Sequence, residues 1–185
     1  MKKLILLLLI PILSVGQIIK EGSRQIHLDF HTSGLIENIG ENFSKEQFKK
    51  ALKIGNVNSI NIFGKGHHGY SYYNTKIGTR HPHLKFDLLK EQIEACHEMG
   101  VTAQVYFTVG WSQKDADDHP EWILKDKNGT TNKLEILKKL GPNDRLPNFT
   151  WRLLAPSNGY DEFILKQVEE ICVNYDIDGF WFDIL

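Results

Sequence analysis

Cysteine is scarce. The 185-residue chain has two, Cys96 and Cys172, which rules out a scaffold built on disulfides. Both fall inside helical apolar patterns, where a buried thiol is the ordinary role; one bridge between them stays open for an exported protein. An excess of charge is also missing. Lys and Arg total 22 against 23 for Asp and Glu, and no basic patch is interleaved with aromatics, so nucleic acid is not an expected partner. There is no internal repeat, which excludes a solenoid, and no low-complexity tract. Only one long apolar run exists, residues 4–13, and it is too short to span a bilayer.

That run has another reading. Lys2 and Lys3 precede it, and the small residues Ser14 and Gly16 follow, placed for cleavage before Gln17. The pattern predicts a signal peptide over residues 1–16, a secreted or periplasmic protein, and no stable membrane span after cleavage. An uncleaved anchor is the alternative. No cysteine follows the run, so a lipid-anchored form is not expected. Residues 17–185 are long enough for one domain with its own core.

Along that domain, strand and helix patterns alternate. Residues 24–31 place Ile26, Leu28 and Phe30 on one face and His27, Asp29 and His31 on the other. Ser44, with Gln47 three residues on, predicts a capped helix that ends at Gly55. A second strand is expected over 57–63, a helix over 86–99 and a third strand over 101–108. A short helix over 134–140, a helix over 160–175 and a fourth strand over 175–185 complete the series. The fourth strand is nearly all apolar, as if covered on both faces, with one carboxylate, Asp183, at its C-terminal end. Crossover helices make the four strands parallel. The linker over 64–84, with Lys65, His67, His68 and three tyrosines, is long enough to suggest function.

The strand faces separate two architectures. One face is apolar throughout: Ile26, Leu28 and Phe30; Ile60 and Ile62; Val105 and Phe107; Phe180 and Phe182. The other carries His27, Asp29 and His31; Ser59 and Asn61; Gln104, Tyr106 and Thr108; Trp181 and Asp183. A doubly wound sheet has helices on both faces and needs both apolar. A (β/α)8 TIM barrel turns its second face inward, where polar groups near the strand C-termini form a site. The α/β class is therefore read as a barrel. Four strands are half of one, so residues 17–185 are read as its N-terminal half. Two unpaired sheet edges would then favour self-association.

Four segments carry a family resemblance. Phe30-His31-Thr32-Ser33-Gly34 ends the first strand, and Lys65-Gly66-His67-His68-Gly69-Tyr70 follows the second. Val105-Tyr106-Phe107 precedes Trp111 and Glu121-Trp122, and Asp178-Gly179-Phe180-Trp181-Phe182-Asp183 closes the fourth strand. Together, over residues 25–185, they resemble glycoside hydrolases of the α-L-fucosidase type, and more closely the hypothetical glycosyl hydrolase 6 group. The second segment departs from the fucosidase pattern: Gly66 stands where the first of two histidines is expected, and His68 replaces an aspartate.

The resemblance implies a glycosidase acting on O-glycosyl bonds with retention, a carbohydrate substrate, and no cofactor or metal. It makes Asp183 the nucleophile. It makes His31, His67 and His68 donors to sugar hydroxyls, with Asp29, Tyr106, Trp111 and Trp181 also at the substrate. The general acid would lie on a later segment, which would leave this half inactive by itself. Two other readings stand beside it. One is a non-catalytic carbohydrate-binding barrel. The other is a metal-dependent hydrolase or deacetylase using His27, Asp29, His31, His67 and His68 as ligands.

Overall fold

The computed structural model describes residues 23–125, 127–129, 151–157 and 159–185. The expected leader over 1–16 and the expected helix over 134–140 lie outside them. The elements in order are β1 (Gln25–His27), α1 (Lys45–Ile54), β2 (Ser59–Lys65), β3 (Tyr70–Ser71), β4 (Thr79–Arg80), α2 (Leu88–Glu98), β5 (Thr102–Thr108), α3 (Gln113–Asp118), a 3-10 turn (Pro120–Trp122), α4 (Tyr160–Asn174) and β6 (Gly179–Asp183).

β1, β2, β5 and β6 lie side by side and parallel, and helices cover one face. This is a mixed α/β fold with the expected strand–helix alternation. The helices start where side chains can take their free N–H groups. Ser44 accepts from Gln47 N at the start of α1, and Asp87 from Lys90 N at the start of α2. Outward residues of the central strands, Ile60, Ile62, Ala103, Val105 and Phe107, meet Leu52, Leu89, Ile93, Cys96, Ile164 and Ile171 in one buried cluster. Each fully buried Leu or Ile there contributes about 1.5–3 kcal/mol.

Several expectations change. The first strand is short, and Ile26 and Leu28 stay partly exposed. Among the described residues β6 lies at an edge of the sheet, as expected of a half barrel, but it is not covered on both faces: Trp181 and Phe182 keep nearly half their surface in water. Part of the linker after β2 is structural, while His67 from the same linker reaches the strand ends. The structural part folds into β3 and β4, and Tyr72, Tyr73 and His81 are buried in it. The Tyr72 hydroxyl donates to Phe30 O and accepts from Thr32 N, pinning the chain just after β1. Both cysteines are free thiols, and Cys172 is exposed rather than buried. No described helix is long and apolar enough to cross a membrane.

A bulge in β2 has consequences for the site. Phe63 pairs with Tyr106, but Lys65, not Gly64, pairs with Phe107. The extra residue reverses the alternation. Lys65, which strict alternation places on the polar face, turns into the helix-covered core. It is fully buried, 2.5 Å from Asp115 Oδ2, with the Phe107 and Phe163 rings about it. Ser112 Oγ donates to the same carboxylate at 2.7 Å.

Candidate active site

The C-terminal ends of the parallel strands surround an open cavity of about 470 Å³. From β1 and the segment after it come His27, Asp29 and His31; His67 follows β2. Tyr106 comes from β5, Trp181 and Asp183 from β6, and Trp151 from the segment before α4.

Register brings Asp183 beside Thr108 and Trp181 beside Tyr106. The Tyr106 side chain is long enough to reach up two residues, and its hydroxyl donates to Asp183 Oδ2 at 2.6 Å. Asp183 Oδ1 accepts the Ile184 N–H at 3.0 Å. Both carboxylate oxygens are thus oriented while the side chain stays partly open to the cavity. Burial and the contact with Asp183 push the Tyr106 hydroxyl well above the usual tyrosine range, so it remains a donor. Its ring is stacked on Phe63, with centroids 4.0 Å apart. Gly110 permits the close approach of β6: its N–H donates to Ile184 O at 2.7 Å, and a Cβ there would collide with that oxygen.

His67 sits on a tight turn closed by Gly69 N to Gly66 O at 2.8 Å. Gly69 has φ +85, and a Cβ on it would strike Ser112. The start of α3 clamps the turn from above, with Gln113 N on His67 O and Lys114 N on His68 O. The Lys65–Asp115 pair holds that end of α3 to the sheet. The His67 ring stacks on His31 at 3.9 Å. Nδ1 lies 2.7 Å from Thr108 Oγ1, and Nε2 lies 3.6 Å from Asp183 Oδ2. Burial first, and the neighbouring His31 second, lower the His67 pKa from 6.5 to about 4, so the ring is neutral at pH 7.

His31 has both nitrogens engaged. Nδ1 accepts the His67 backbone N–H at 3.0 Å, and Nε2 faces Asp29 Oδ1 at 3.2 Å. Burial lowers its pKa despite Asp29. Asp29 itself is 74% exposed.

Not every expected residue reaches the cavity. His68 and Trp111 are not in its wall; both pack against Trp151, at 5.5 and 5.6 Å between centroids. The Lys114 N–H on the His68 carbonyl and the bridge between Trp111 and Leu153 hold them back from it. Sequence reasoning missed Trp151, whose ring lies 4.6 Å from that of His67. It also left His27 out of the sugar site, although its ring lies edge-on to Tyr106 and Trp181. The inward polar face was the available signal for His27; nothing in the pattern around residue 151 marks Trp151. Among the described residues, no three His, Cys, Asp or Glu side chains gather as metal ligands. His68 is out of the cavity, and the Nδ1 atoms of His31 and His67 face a backbone N–H and the Thr108 hydroxyl.

The model of the family described as hypothetical glycosyl hydrolase 6 matches residues 44–184. No curated protein matches the chain. Among solved structures, alpha-L-fucosidase isoenzyme 2 from Paenibacillus thiaminolyticus is 40% identical with a TM-score of 0.77, over 88% of this chain and 23% of that one. A maltogenic alpha-amylase from Thermotoga neapolitana is 18% identical with a TM-score of 0.53, over 86% of this chain and 38% of that one. An alpha-fucosidase from Thermotoga maritima is 21% identical with a TM-score of 0.52, over 78% and 29%. The last two show the fold alone. The chain spans well under half of each of these proteins.

Proposed function

We infer the function from one premise: the chain belongs to the family described as hypothetical glycosyl hydrolase 6. On this reading the four parallel strands are the first half of a (β/α)8 barrel, and the cavity is one wall of a sugar site at the strand C-termini. The reaction is hydrolysis of an O-glycosidic bond with retention, on an α-L-fucoside or a closely similar sugar. The 40% identity to an alpha-L-fucosidase supports the sugar class.

The observation that carries the reading is the Tyr106–Asp183 pair. A carboxylate held by one hydroxyl and one backbone N–H, with a free approach from the cavity, suits a nucleophile. Asp183 attacks the anomeric carbon, and the bond to the leaving oxygen breaks. A second carboxylic acid protonates that oxygen, then takes a proton from the water that cleaves the glycosyl-enzyme. Asp29 is exposed and faces His31, so it is assigned the orienting part. The acid/base is assigned to a residue outside the described set. Trp181 and Trp151 offer flat faces for the C–H side of the sugar ring.

Asp183→Asn tests the reading on an aryl α-L-fucoside. The test is made in a form that also carries the acid/base segment. The expected result there is loss of hydrolysis with fucose binding retained, and retention of configuration by the unaltered form. Hydrolysis by Asp183→Asn at the rate of an active unaltered form overturns it. We also propose that the protein is exported, on the strength of residues 1–16. An exported form whose sequence begins at Gln17 is the expected product.

A further inference from the structure

Thr108 Oγ1 lies 2.8 Å from Trp111 O, which can only accept, so the single hydroxyl proton goes there. His67 Nδ1, 2.7 Å from the same Oγ1, must then be the donor. A neutral imidazole has one N–H, so Nε2 carries a lone pair. Tyr106 Oη and Asp183 Oδ2 face it at 3.3 and 3.6 Å. The Tyr106 proton is given to Asp183 at 2.6 Å, so neither group offers Nε2 a proton. An acceptor is left facing the cavity, where a donor was expected.

We propose that Thr108 is a positioning residue that locks His67 as its Nδ1–H tautomer, making Nε2 an acceptor that selects a sugar with a free hydroxyl close to the reacting carbon. The sugar part of this inference rests on the glycosidase reading; the tautomer does not. Thr108 is fully buried and stands opposite Asp183 in the sheet, so it can set this polarity without touching the substrate. The His67 ring stays neutral near pH 7, as the lock requires. A site built to receive a hydroxyl proton rejects an analogue lacking it, because its own acceptor is left unpaired.

Two-bond 1H–15N NMR correlations of the His67 ring test the lock in the whole chain. The unaltered protein at pH 7 should show a protonated Nδ1 and a bare Nε2. Thr108→Val should shift the ring toward the Nε2–H form, and Thr108→Ser should restore it. A protonated Nε2 in the unaltered protein overturns the lock, and so does a ring unmoved by Thr108→Val. If Thr108→Val does not fold, the unaltered and Thr108→Ser spectra decide. Titration with L-fucose and its mono-deoxy analogues reads the second part. One analogue should bind about tenfold more weakly than fucose, and Thr108→Val should lose that discrimination. Equal binding of all analogues overturns the selection. A locked tautomer in a protein that binds none of these sugars overturns the fucoside reading instead.

Discussion

Removing the Asp115 carboxylate should be among the most damaging single changes available to this protein. Asp115→Ala leaves the Lys65 ammonium with no exposed surface, facing the Phe107 and Phe163 rings at 5.5 and 5.3 Å. Those rings attract a cation, but only by about 0.5–2 kcal/mol. Breaking a buried pair by deleting one partner costs about 3–5 kcal/mol, because the remaining charge is stranded. A domain is typically stable by about 5–15 kcal/mol, so the loss is a large fraction of the total. The damage should reach the cavity, since Gln113 and Lys114 at the start of α3 hold the His67 and His68 carbonyls. The double change Lys65→Met with Asp115→Leu removes both charges at similar volume and should recover most of the loss. Urea unfolding followed by circular dichroism measures all three proteins. If Asp115→Ala costs less than about 1 kcal/mol, the pair behaves as an exposed one and the stranded-charge account is wrong.

Tyr106→Phe keeps the ring stacked on Phe63 and removes only the hydroxyl on Asp183. Stability should change by less than about 1.5 kcal/mol, while on the proposed glycosidase reading kcat on an aryl α-L-fucoside, measured in a form that carries the acid/base segment, should fall about 10- to 100-fold, the worth of a charge-assisted hydrogen bond. An unchanged kcat would remove Tyr106 from the mechanism. The His67 pKa falls from 6.5 to about 4 on folding, so between those values the unfolded chain binds more protons. Stability from this group is therefore complete above pH 6.5, falls with pH, and is lost below about pH 4, by at most about 3 kcal/mol. His31 and His68, also lowered, act in the same direction, so the measurement is the difference in slope between the unaltered protein and His67→Gln; equal slopes reject the assignment. Burial pushes the Cys96 thiol up to about 12, whereas Cys172 is exposed. Iodoacetamide followed by mass spectrometry should mark Cys172 in the native protein and Cys96 only after unfolding.

Much of the fold was legible because its signals are local. Caps such as Ser44 and alternation in the central strands depend on residues a few positions apart, and both appear as expected. The inward polar face was legible for the same reason, and with it the convergence of His31, Tyr106, Trp181 and Asp183. Burial at the margins was not. Ile26, Leu28 and Phe182 have core-like patterns, but their exposure depends on what lies beside β1 and β6.

By itself, the sequence determined which side chains β5, and β2 up to its bulge, turn toward the cavity and which toward the helices, because pleating alternates them. It also placed one carboxylate at the end of the last strand. Only the tertiary structure decided what that carboxylate touches. The β2 bulge sends Lys65 into the core, a change of facing that period-two reasoning cannot anticipate. The packing of the segment before α4 puts Trp151 in the cavity wall and leaves His68 and Trp111 behind it. The tautomer of His67 depends on a hydroxyl 41 positions away in the chain, whose proton is in turn claimed by the Trp111 carbonyl. Such polarity arises only when strands meet, because a hydrogen bond's direction is set by every group competing for the same proton.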